Sequence, residues 1–302
     1  MRLRGVLIED TFAEAFRMVG TRALITARTL RWAREAATKM TGFATSVIGC
    51  KCEAGIEREW PPEETPDGRP GVSVLLFAFN AEGVQARMLE RVGQTVLTCP
   101  TTACYDGLPD AEERISVGGQ IRYFGDGFQS SKVVGDRRYW RVPVMEGEFL
   151  CEDTFGVRPG IGGGNFLILA EHADAALEAA EAAVAAMAEV RDAILPFPGG
   201  VVRSGSKVGS RRYGLKATTN DAYCPTLRAV TETALPPEVN SVLEIVIDGF
   251  TEAAVAEAMR VGIEAACRPG VVRISAGNYG GKLGQYLFRL RDVLGARGAG
   301  GS

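Results

Sequence analysis

Histidine, paired cysteines and long apolar runs are scarce or absent in this sequence of 302 residues. A histidine-based metal site or a Ser-His-Asp triad would have to use His172, the single histidine, which we expect to be a solvated surface residue. The seven cysteines show no Cys-x-x-Cys spacing, which predicts reduced thiols in a cytoplasm rather than a zinc site or a disulfide framework. No run of about 18 apolar residues is present to span a bilayer, and the N-terminal stretch lacks the apolar core of a signal peptide.

An excess of basic residues is missing as well. The 34 lysine and arginine residues are balanced by 37 aspartate and glutamate residues, giving a net charge of -3, which argues against general nucleic-acid binding. With 46% hydrophobic and 24% charged residues, the composition is that of an ordinary soluble globular protein. The length allows two domain-sized cores, so we expect two lobes.

The most informative segment is Ser241 to Gly249, SVLEIVIDG, which reads as a strand except for one carboxylate. Its apolar residues occupy both alternating faces, the pattern of a strand that is covered on both sides. Glu244 lies in the middle of this run, where an unpaired carboxylate is unfavourable unless it takes up a proton. The residue is therefore a candidate functional group, although a place at a strand edge or in an ion pair would also explain it.

Parts of the sequence occur twice. The tetrapeptide EDTF is found at Glu9 to Phe12 and again at Glu152 to Phe155, offset by 143 residues. The same offset matches Leu24, Ile25 and Ala27 with Leu167, Ile168 and Ala170. Two separate matches at one offset indicate an internal duplication.

The order of the predicted elements defines the expected fold. The second part reads strand (166–170), helix (174–190), strand (200–203), strand (242–247), helix (252–267) and strand (271–275). This β-α-β-β-α-β order is typical of a ferredoxin-like sandwich, with helices on one face of an antiparallel sheet. In the first part the pattern predicts strands at 23–27, 43–49 and 72–79, helices at 29–40 and 82–97, and a hairpin pairing 120–124 with 138–142.

We therefore predict an α+β protein of two ferredoxin-like α/β sandwich lobes that arose by duplication. Residues 1–146 would form the first lobe with its hairpin insert, and residues 147–294 the second lobe with most of the active site. Residues 295–302, GARGAGGS, would be a disordered tail.

An internal comparison bears on the role of Glu244. Aligning SVLLFAFN at Ser73 to Asn80 with the segment from Ser241 puts Leu76 opposite Glu244. If the two strands are copies of one unit, the fold tolerates leucine at this place. The carboxylate is then not a requirement of folding.

Polar and glycine-rich loops are concentrated in the second part. The run GIGGGN at Gly160 to Asn165 would let backbone approach a ligand, although a tight turn before a strand explains it equally well. Residues 193–220 contain five positive charges and no acidic residue. This pattern suggests a binding site for an anionic ligand, or else a basic surface that pairs with an acidic neighbour. Further hydrogen-bonding side chains occur in TTNDAYCP at Thr218 to Pro225 and in SAGNYGGKLGQ at Ser275 to Gln285.

Six segments, whose order is kept along essentially the whole chain, resemble the formylmethanofuran:tetrahydromethanopterin formyltransferase family. Each is long or chemically unusual. They are IEDTFAEAF at Ile8 to Phe16, PPEETPDGRPGV at Pro61 to Val72, FGDG at Phe124 to Gly127, SKVGS at Ser206 to Ser210, TNDAYCP at Thr219 to Pro225 and SAGNYGGKLGQY at Ser275 to Tyr286.

The resemblance implies a transferase that moves a formyl group between tetrahydromethanopterin and the amine of methanofuran or a bacterial analogue. It also implies two α/β lobes per subunit, a homotetramer, and chemistry that uses no bound metal or prosthetic group. The catalytic group of the family is a glutamate on this strand, which falls on Glu244. A buried Glu244 could hold a proton near neutral pH, hydrogen-bond the developing oxyanion and protonate the leaving amine.

The same resemblance suggests which residues bind the substrates. The furan carrier has a glutamate-rich tail and the pterin carries acidic groups, so Lys207, Arg211 and Arg212 are candidates for binding these tails. The remaining candidates lie in the matched or glycine-rich loops: Gly163, Gly164, Asn165, Ser206, Thr219, Asn220, Asp221, Tyr223, Asn278 and Tyr279.

Composition and family together suggest partners and rival functions. The chain has 28 arginines against 6 lysines, a usage that resembles GC-rich methylotrophic bacteria, where family members work with companion subunits that hydrolyse the formylated carrier. A non-catalytic scaffold subunit that docks partners through the Pro-rich loop at Pro61 to Gly71 is the alternative, although retention of Glu244 disfavours it. Simple hydrolysis of the formyl donor ranks last, because no activating group for water is in view.

Overall fold

Two long strands, Phe12–Thr26 and Thr154–Ala170, run through the middle of the protein. The computed structural model describes residues 1–295, so the predicted disordered tail lies outside the described residues except for Gly295. Within that range the strands are β1 (Arg2–Leu3), β2 (Val6–Ile8), β3 (Phe12–Thr26), β4 (Glu53–Trp60), β5 (Gly71–Ala78), β6 (Ala103–Asp106), β7 (Glu113–Ser116), β8 (Ser130–Val134), β9 (Arg137–Val144), β10 (Gly147–Glu152), β11 (Thr154–Ala170), β12 (Ala193–Ile194), β13 (Lys207–Val208), β14 (Ala217–Thr218), β15 (Ser241–Gly249), β16 (Val271–Ser275) and β17 (Tyr286–Arg289). The α-helices are α1 (Leu30–Thr41), α2 (Val47–Cys50), α3 (Ala81–Arg91), α4 (Gly118–Ile121), α5 (Ala173–Met187), α6 (Glu252–Ala266) and α7 (Leu290–Gly295).

Both halves of the chain arrange their central strands in the same way. The strand order is β6-β3-β5-β4 in the first half and β16-β11-β15-β12 in the second. In each half the first strand of the unit lies in the centre and pairs antiparallel with the third and fourth strands. The two halves therefore share one strand order, as expected if each half contains the same sequence of strands and helices.

The two halves share one sheet, whereas the sequence predicted two separate antiparallel sheets. Residues Arg158 to Gly162 of β11 pair antiparallel with Phe16 to Gly20 of β3, which joins the halves into a 15-stranded sheet within residues 1–295. The sheet is mixed, because β10 runs parallel to β6 and β16 runs parallel to β2. The prediction of separate sheets failed because no local sequence pattern reports a pairing between distant strands.

Each half packs its helices on one face of the sheet. In the first half, α1 and α3 cover β3 and β5 through small side chains such as Ala33, Ala36 and Ala37. In the second half, the Ala-rich α5 and the helix α6 cover β11 and β15. No helix in residues 1–295 is long and apolar enough to cross a membrane.

Side-chain caps fix the start of the second-half helices. His172 is exposed, as predicted, and its Nδ1 accepts a hydrogen bond of 3.2 Å from the Ala175 N–H at the start of α5. Thr251 caps α6 in the same way, with its Oγ1 accepting from the Ala254 N–H at 3.0 Å. Such caps satisfy backbone N–H groups that have no partner within the helix.

Three of the predicted short elements are wrong. The predicted strand at 43–49 is replaced by α2, and positive φ angles of 52° at Phe43 and 66° at Lys51 interrupt an extended chain there. The predicted strand at 200–203 contributes only one bridge, between Val202 and Glu244, and β12 takes its place in the sheet. The hairpin insert pairs β9 with β8, whereas residues 118–125 are helical turns.

A buried ion pair fastens the first half to the second. The Arg22 guanidinium of β3 donates to both Glu57 carboxylate oxygens, at 2.8 and 2.7 Å, and also binds Asp192 between α5 and β12. The Glu57 side chain is only 2% exposed and accepts further hydrogen bonds from Ser73 Oγ (2.8 Å) and the Asp192 N–H (3.0 Å). Removal of the arginine would leave a buried carboxylate without its cation, which is costly.

We predict that Arg22→Met destabilises the protein by about 3–5 kcal/mol, because it breaks a buried pair. Arg34→Met is the matched control, since Arg34 and its partner Glu59 are 57% and 44% exposed, and such exposed pairs contribute little to stability. Urea-induced unfolding of both variants measures the difference. Equal losses of stability would contradict a special role for the buried pair.

Candidate active site

Glu244 lies at the centre of β15, on the face of the sheet opposite α5 and α6. Leu167 of β11 pairs with Glu244 on one side and with Ser275 of β16 on the other, so these three side chains share one face. The next residue, Ile168, faces the helices. The Glu244 N–H donates to the Val202 carbonyl at 2.9 Å, and the Val202 N–H donates to the Glu244 carbonyl at 2.8 Å. Glu244 therefore does not lie at an open strand edge.

Glu244 is half-buried, and its carboxyl is surrounded mostly by protein and has no partner. Within residues 1–295 no side chain or backbone N–H donates to it, and it forms no ion pair. Burial alone raises the pKa of Glu244 from its ordinary value of 4.5 to about 7. The group thus carries a proton for a large part of the time near neutral pH, and the ion-pair explanation of its position is wrong.

Tyr279 supplies a second polar group, on a loop that is held at the face of the sheet carrying Glu244, because Asn165 binds Gly277 and pairs with Val246 of β15. Burial raises the pKa of its phenol, and the negative charges of Glu244 and then Glu14 raise it further. Its ring packs against Phe16 with the centroids 6.0 Å apart. The phenol therefore keeps its proton and can donate a hydrogen bond.

The loop between β16 and β17 carries Tyr279 and is tied down by side chains from neighbouring strands. Asn165 of β11 donates to the Gly277 carbonyl at 3.1 Å and accepts from the Gly277 N–H at 2.6 Å. Asn278 donates to Thr11 Oγ1 and to the Phe12 carbonyl, at 3.2 and 3.1 Å. Asn165 and Asn278 thus have structural partners, and their predicted contacts with substrate stay predictions.

Two of the predicted glycines shape a strand and do not form a loop. Gly163 and Gly164 lie within β11, where a bulge between Ile161 and Gly164 interrupts the pairing with β15. Gly163 has a φ of +90°, and its N–H donates to Asp248 Oδ1 at 3.0 Å. A Cβ on Gly164 would lie 2.4 Å from Val255 of α6. Close packing and the bulge, rather than a ligand-binding turn, account for these glycines.

The basic segment is partly neutralised within the protein. Lys207 Nζ binds one oxygen of the buried Asp221 carboxylate, and Arg211 binds the other at 3.0 Å. The hydrogen bond from Lys207, together with the nearby Arg211 charge, lowers the pKa of Asp221. Asp221 was predicted as a pocket residue, but it acts here as the counterion of two of the predicted tail-binding residues. Arg212 remains exposed, and its side chain has no acidic partner within residues 1–295.

The other predicted residues lie along the same segment without forming a single cluster. Ser206 and Thr219 are exposed, and the Asn220 carbonyl accepts a hydrogen bond from Cys224 Sγ at 3.3 Å. Tyr223 packs against a small core that includes Leu167, directly beside Glu244 in the sheet. Of this group, Tyr223 therefore has the most direct structural link to Glu244.

The comparison of Glu244 with Leu76 is wrong in register. Leu24 of the first half corresponds to Leu167 of the second. Leu24 pairs with Ser73, and Leu167 pairs with Glu244. The residue of the first half that occupies the place of Glu244 is therefore Ser73. Leu76 faces the helices of the first half. The sequence alignment was shifted by three residues, and an odd shift moves a side chain to the other face of the strand.

Sequence reasoning also missed buried carboxylates outside the predicted site. Glu14 is 1% exposed and Asp248 is fully buried, close to Glu53 of β4. Burial raises the pKa values of Glu53 and Asp248, and their mutual repulsion raises that of Asp248 further, so the pair holds a proton. Glu14 and Asp248 interrupt apolar strand patterns, the same signal that singled out Glu244, whereas Glu53 is the first residue of β4 and gives no such signal. No group of three or more potential metal-ligating side chains occurs in the described part of the chain.

The sheet and the half-buried, protonated carboxyl together define a protein suited to proton-assisted acyl transfer. The profile of the formylmethanofuran-tetrahydromethanopterin formyltransferase family matches residues 1–144, and that of its proximal lobe matches residues 147–293. The chain belongs to this formyltransferase family.

Named relatives and solved structures resemble the chain over nearly its whole length. The formylmethanofuran--tetrahydromethanopterin formyltransferase of Methylococcus capsulatus is 59% identical over 298 residues, covering 97% of this chain and 100% of the relative. A structure of the formyltransferase/hydrolase complex from Methylorubrum extorquens with methylofuran includes a chain with a TM-score of 0.95 and 55% identity, covering 97% of this chain and 98% of that one. The formyltransferase of Methanosarcina barkeri has a TM-score of 0.93 and 53% identity, with coverage of 97% and 100%.

The raised pKa of Glu244 predicts a pH-dependent cost in stability. Between pH 4.5 and about 7 the carboxyl of the unfolded chain is ionised, whereas that of the folded protein is still protonated. Rising pH therefore favours the unfolded state over this range. The contribution of Glu244 to the free energy of unfolding is complete below pH 4.5 and is lost by about pH 7. Glu244→Gln removes this loss, and its stability relative to the parent should rise by about 3 kcal/mol between pH 4.5 and 8.

Unfolding by urea at several pH values tests this expectation. Glu238→Gln, on the exposed stretch before β15, is the matched control and should show no such trend. A pH-independent difference between Glu244→Gln and the parent would mean that Glu244 titrates normally.

Proposed function

We propose that the protein transfers a formyl group between tetrahydromethanopterin and the amine of methanofuran or a bacterial analogue. The relatives named above carry this activity in their names. The observation that carries the proposal is the Glu244 carboxyl, which is half-buried and unpartnered and has a pKa of about 7. General acids work best when their pKa lies near the operating pH.

The chemistry needs one group that can both give and take a proton. The attacking nitrogen forms a bond to the formyl carbon, and the carbonyl oxygen of the resulting tetrahedral intermediate carries a negative charge. Protonated Glu244 hydrogen-bonds this oxyanion and then protonates the leaving nitrogen as the old C–N bond breaks. The proton lost by the attacking nitrogen returns to the Glu244 carboxylate, so the enzyme ends the cycle unchanged.

Tyr279 is proposed as a second donor in the same site. Its phenol keeps its proton because burial and two nearby carboxylates raise its pKa. A donor that is already in place stabilises developing charge without reorganisation during the reaction. Asn165 and Asn278, which hold the loop of Tyr279, are proposed to line the same pocket.

The exposed cations near β13 and β14 are proposed to bind the acidic tails of the carriers. Lys207 and Arg211 are engaged with Asp221, so the strongest candidates are Arg203, Arg212 and Lys216, which are exposed and have no acidic partner in residues 1–295. Arg211 is 71% exposed in its side chain and can add to this surface. Such exposed charges attract anionic substrates, and added salt weakens this attraction by screening the charges.

The architecture and the assembly belong to the same proposal. We propose that the two halves are ferredoxin-like lobes, 1–146 and 147–294, that arose by duplication; the shared strand order supports this. A cytoplasmic homotetramer is proposed from family membership. Hydrolase subunits are proposed as partners because the name of a relative 56% identical, from Methylorubrum extorquens, makes it one of the subunits of a formyltransferase/hydrolase complex.

The scaffold alternative receives less support. Its docking element, the Pro-rich loop, is fixed to the first half because Asp67 accepts hydrogen bonds from Thr26 Oγ1 and Tyr105 at 2.7 and 2.9 Å. A scaffold has no need of an unpartnered, protonated carboxyl.

We predict that Glu244→Gln lowers kcat by about 100- to 10,000-fold, the range for loss of a general acid-base group. KM should change little, because glutamine keeps the shape and a hydrogen-bond donor. Steady-state assays with both carriers provide the measurement, and Glu238→Gln provides the control. Turnover near that of the parent would exclude the role of Glu244.

We predict that Arg212→Gln combined with Lys216→Gln raises KM for the tailed carrier by about 3- to 10-fold with little change in kcat. Added salt should raise the KM of the parent toward that of the variant. A double change on α1, Arg31→Gln with Lys39→Gln, removes the same charge from exposed positions elsewhere and serves as the control. Unchanged KM values for both substrates would show that the segment is an ordinary charged surface that does not bind the carriers.

A further inference from the structure

Glu14 of β3 is a buried carboxylate that belongs to the first half but binds a loop of the second. It accepts four backbone N–H groups, from Tyr279 and Gly281 on Oε2 (2.7 and 2.9 Å) and from Leu283 and Gly284 on Oε1 (both 2.6 Å). Burial acts to raise the pKa of Glu14, but these four N–H groups outweigh it and lower the pKa. The group is therefore ionised at neutral pH, and the loop is wrapped around it.

The conformation of the loop is specific to this contact. Gly280 and Gly281 have φ angles of +72° and +71°, a region that turns successive N–H groups toward one point. A Cβ on Gly284 would lie 2.6 Å from both the Ala15 carbonyl oxygen and Glu14 Cγ. Glycine is thus required at 284 for the backbone to reach the carboxylate.

Tyr279 begins this turn, and its own N–H is one of the four donors. Asn165, which holds Gly277, pairs with Val246 of β15 and so lies on the face of the sheet that carries Glu244. The loop therefore starts beside Glu244, and the turn fixed at Tyr279 sets where the phenol lies.

Asn165 and Asn278 hold the earlier part of the loop. Within 279–284, Asn278 accepts from the Gly280 N–H at 3.1 Å and Gln285 donates to the Leu283 carbonyl at 3.0 Å, but both side chains belong to the same loop. Glu14 ties the segment to the first half, through four hydrogen bonds.

We propose that Glu14 is a positioning residue for the transfer reaction, whose carboxylate holds the turn at 279–284 so that the Tyr279 phenol stands beside Glu244. The inference rests on the proposed function, in which Glu244 and Tyr279 act on the reacting formyl group. Glutamine at position 14 would offer one acceptor oxygen, and its NH₂ would face N–H groups that also donate. The turn would then lose part of its anchor, and small displacements of a reacting group can cost about 100-fold in rate.

Limited proteolysis tests the anchor without any assay of activity. Trypsin can cut after the exposed Lys282, which lies within the turn. Glu14→Gln should speed cleavage at this bond by about tenfold or more, because cleavage follows the population of the opened turn. Cleavage after Lys132 in the exposed strand β8 serves as the internal reference and should not change.

A double-mutant cycle tests whether the anchor acts through Tyr279. We expect Glu14→Gln to lower kcat by about 10- to 100-fold and Tyr279→Phe to lower it by about tenfold. Added to Glu14→Gln, Tyr279→Phe should cost less than about twofold more, because the phenol is already displaced. Arg137→Met, which breaks the ion pair with the buried Glu152 at the β9–β10 end of the sheet, controls for a general loss of stability and should leave kcat per folded enzyme unchanged.

Gly284→Ala disturbs the same contact while leaving Glu14 in place, and it replaces Glu14→Gln if that variant does not fold. Faster cleavage after Lys282 together with a lowered, non-additive kcat supports the proposal. Unchanged cleavage, unchanged kcat, or full additivity with Tyr279→Phe overturns it. The cleavage rate after Lys282 does not depend on the chemistry of Glu244. If the proposed function is wrong, Glu244→Gln turns over normally, and this result is distinct from any result of the cleavage experiment.

Discussion

The free energy required to bury a carboxylate governs this structure, and the protein meets that requirement in two opposite ways. Glu14 receives four backbone N–H groups and stays ionised, whereas Glu244 receives none and keeps a proton near neutral pH. The first arrangement fixes a loop, and the second leaves a protonated carboxyl without a partner. The two groups are linked through one loop, because Asn165, on the same face of the sheet as Glu244, holds Gly277, and Glu14 holds Tyr279 two residues farther on.

The shared sheet brings these groups together from distant parts of the chain. Pairing between β3 and β11 joins the halves, and β17 returns from the second half to pair with β3 beside Glu14. The ion pair of Arg22 with Glu57 and Asp192 fastens the same junction farther along β3. The proposed site takes Glu14 from the first half and Glu244 and Tyr279 from the second, so it depends on the relative position of the halves being fixed.

Local sequence patterns predicted much of the fold but not its long-range pairing. The helices α1, α5 and α6 and the strand β16 lie close to their predicted bounds, because apolar periodicity and glycine stops are local signals. The continuous sheet, the correct counterpart of Glu244 and the pairing of Asp221 with Lys207 depend on residues far apart in sequence or on register. Glu14 carried the same local signal as Glu244, an acid in an apolar strand, but only the folded loop reveals its four donors.

The central claim is that the Glu244 carboxyl is protonated near neutral pH in the folded protein. Infrared difference spectroscopy between the parent and Glu244→Gln isolates the carboxyl C=O stretch of this one residue from those of the other buried acids. The account predicts a band of the protonated group that is full at pH 5.5 and disappears with a midpoint near pH 7. A band already absent at pH 5.5 would show an ordinary, ionised glutamate and contradict the account.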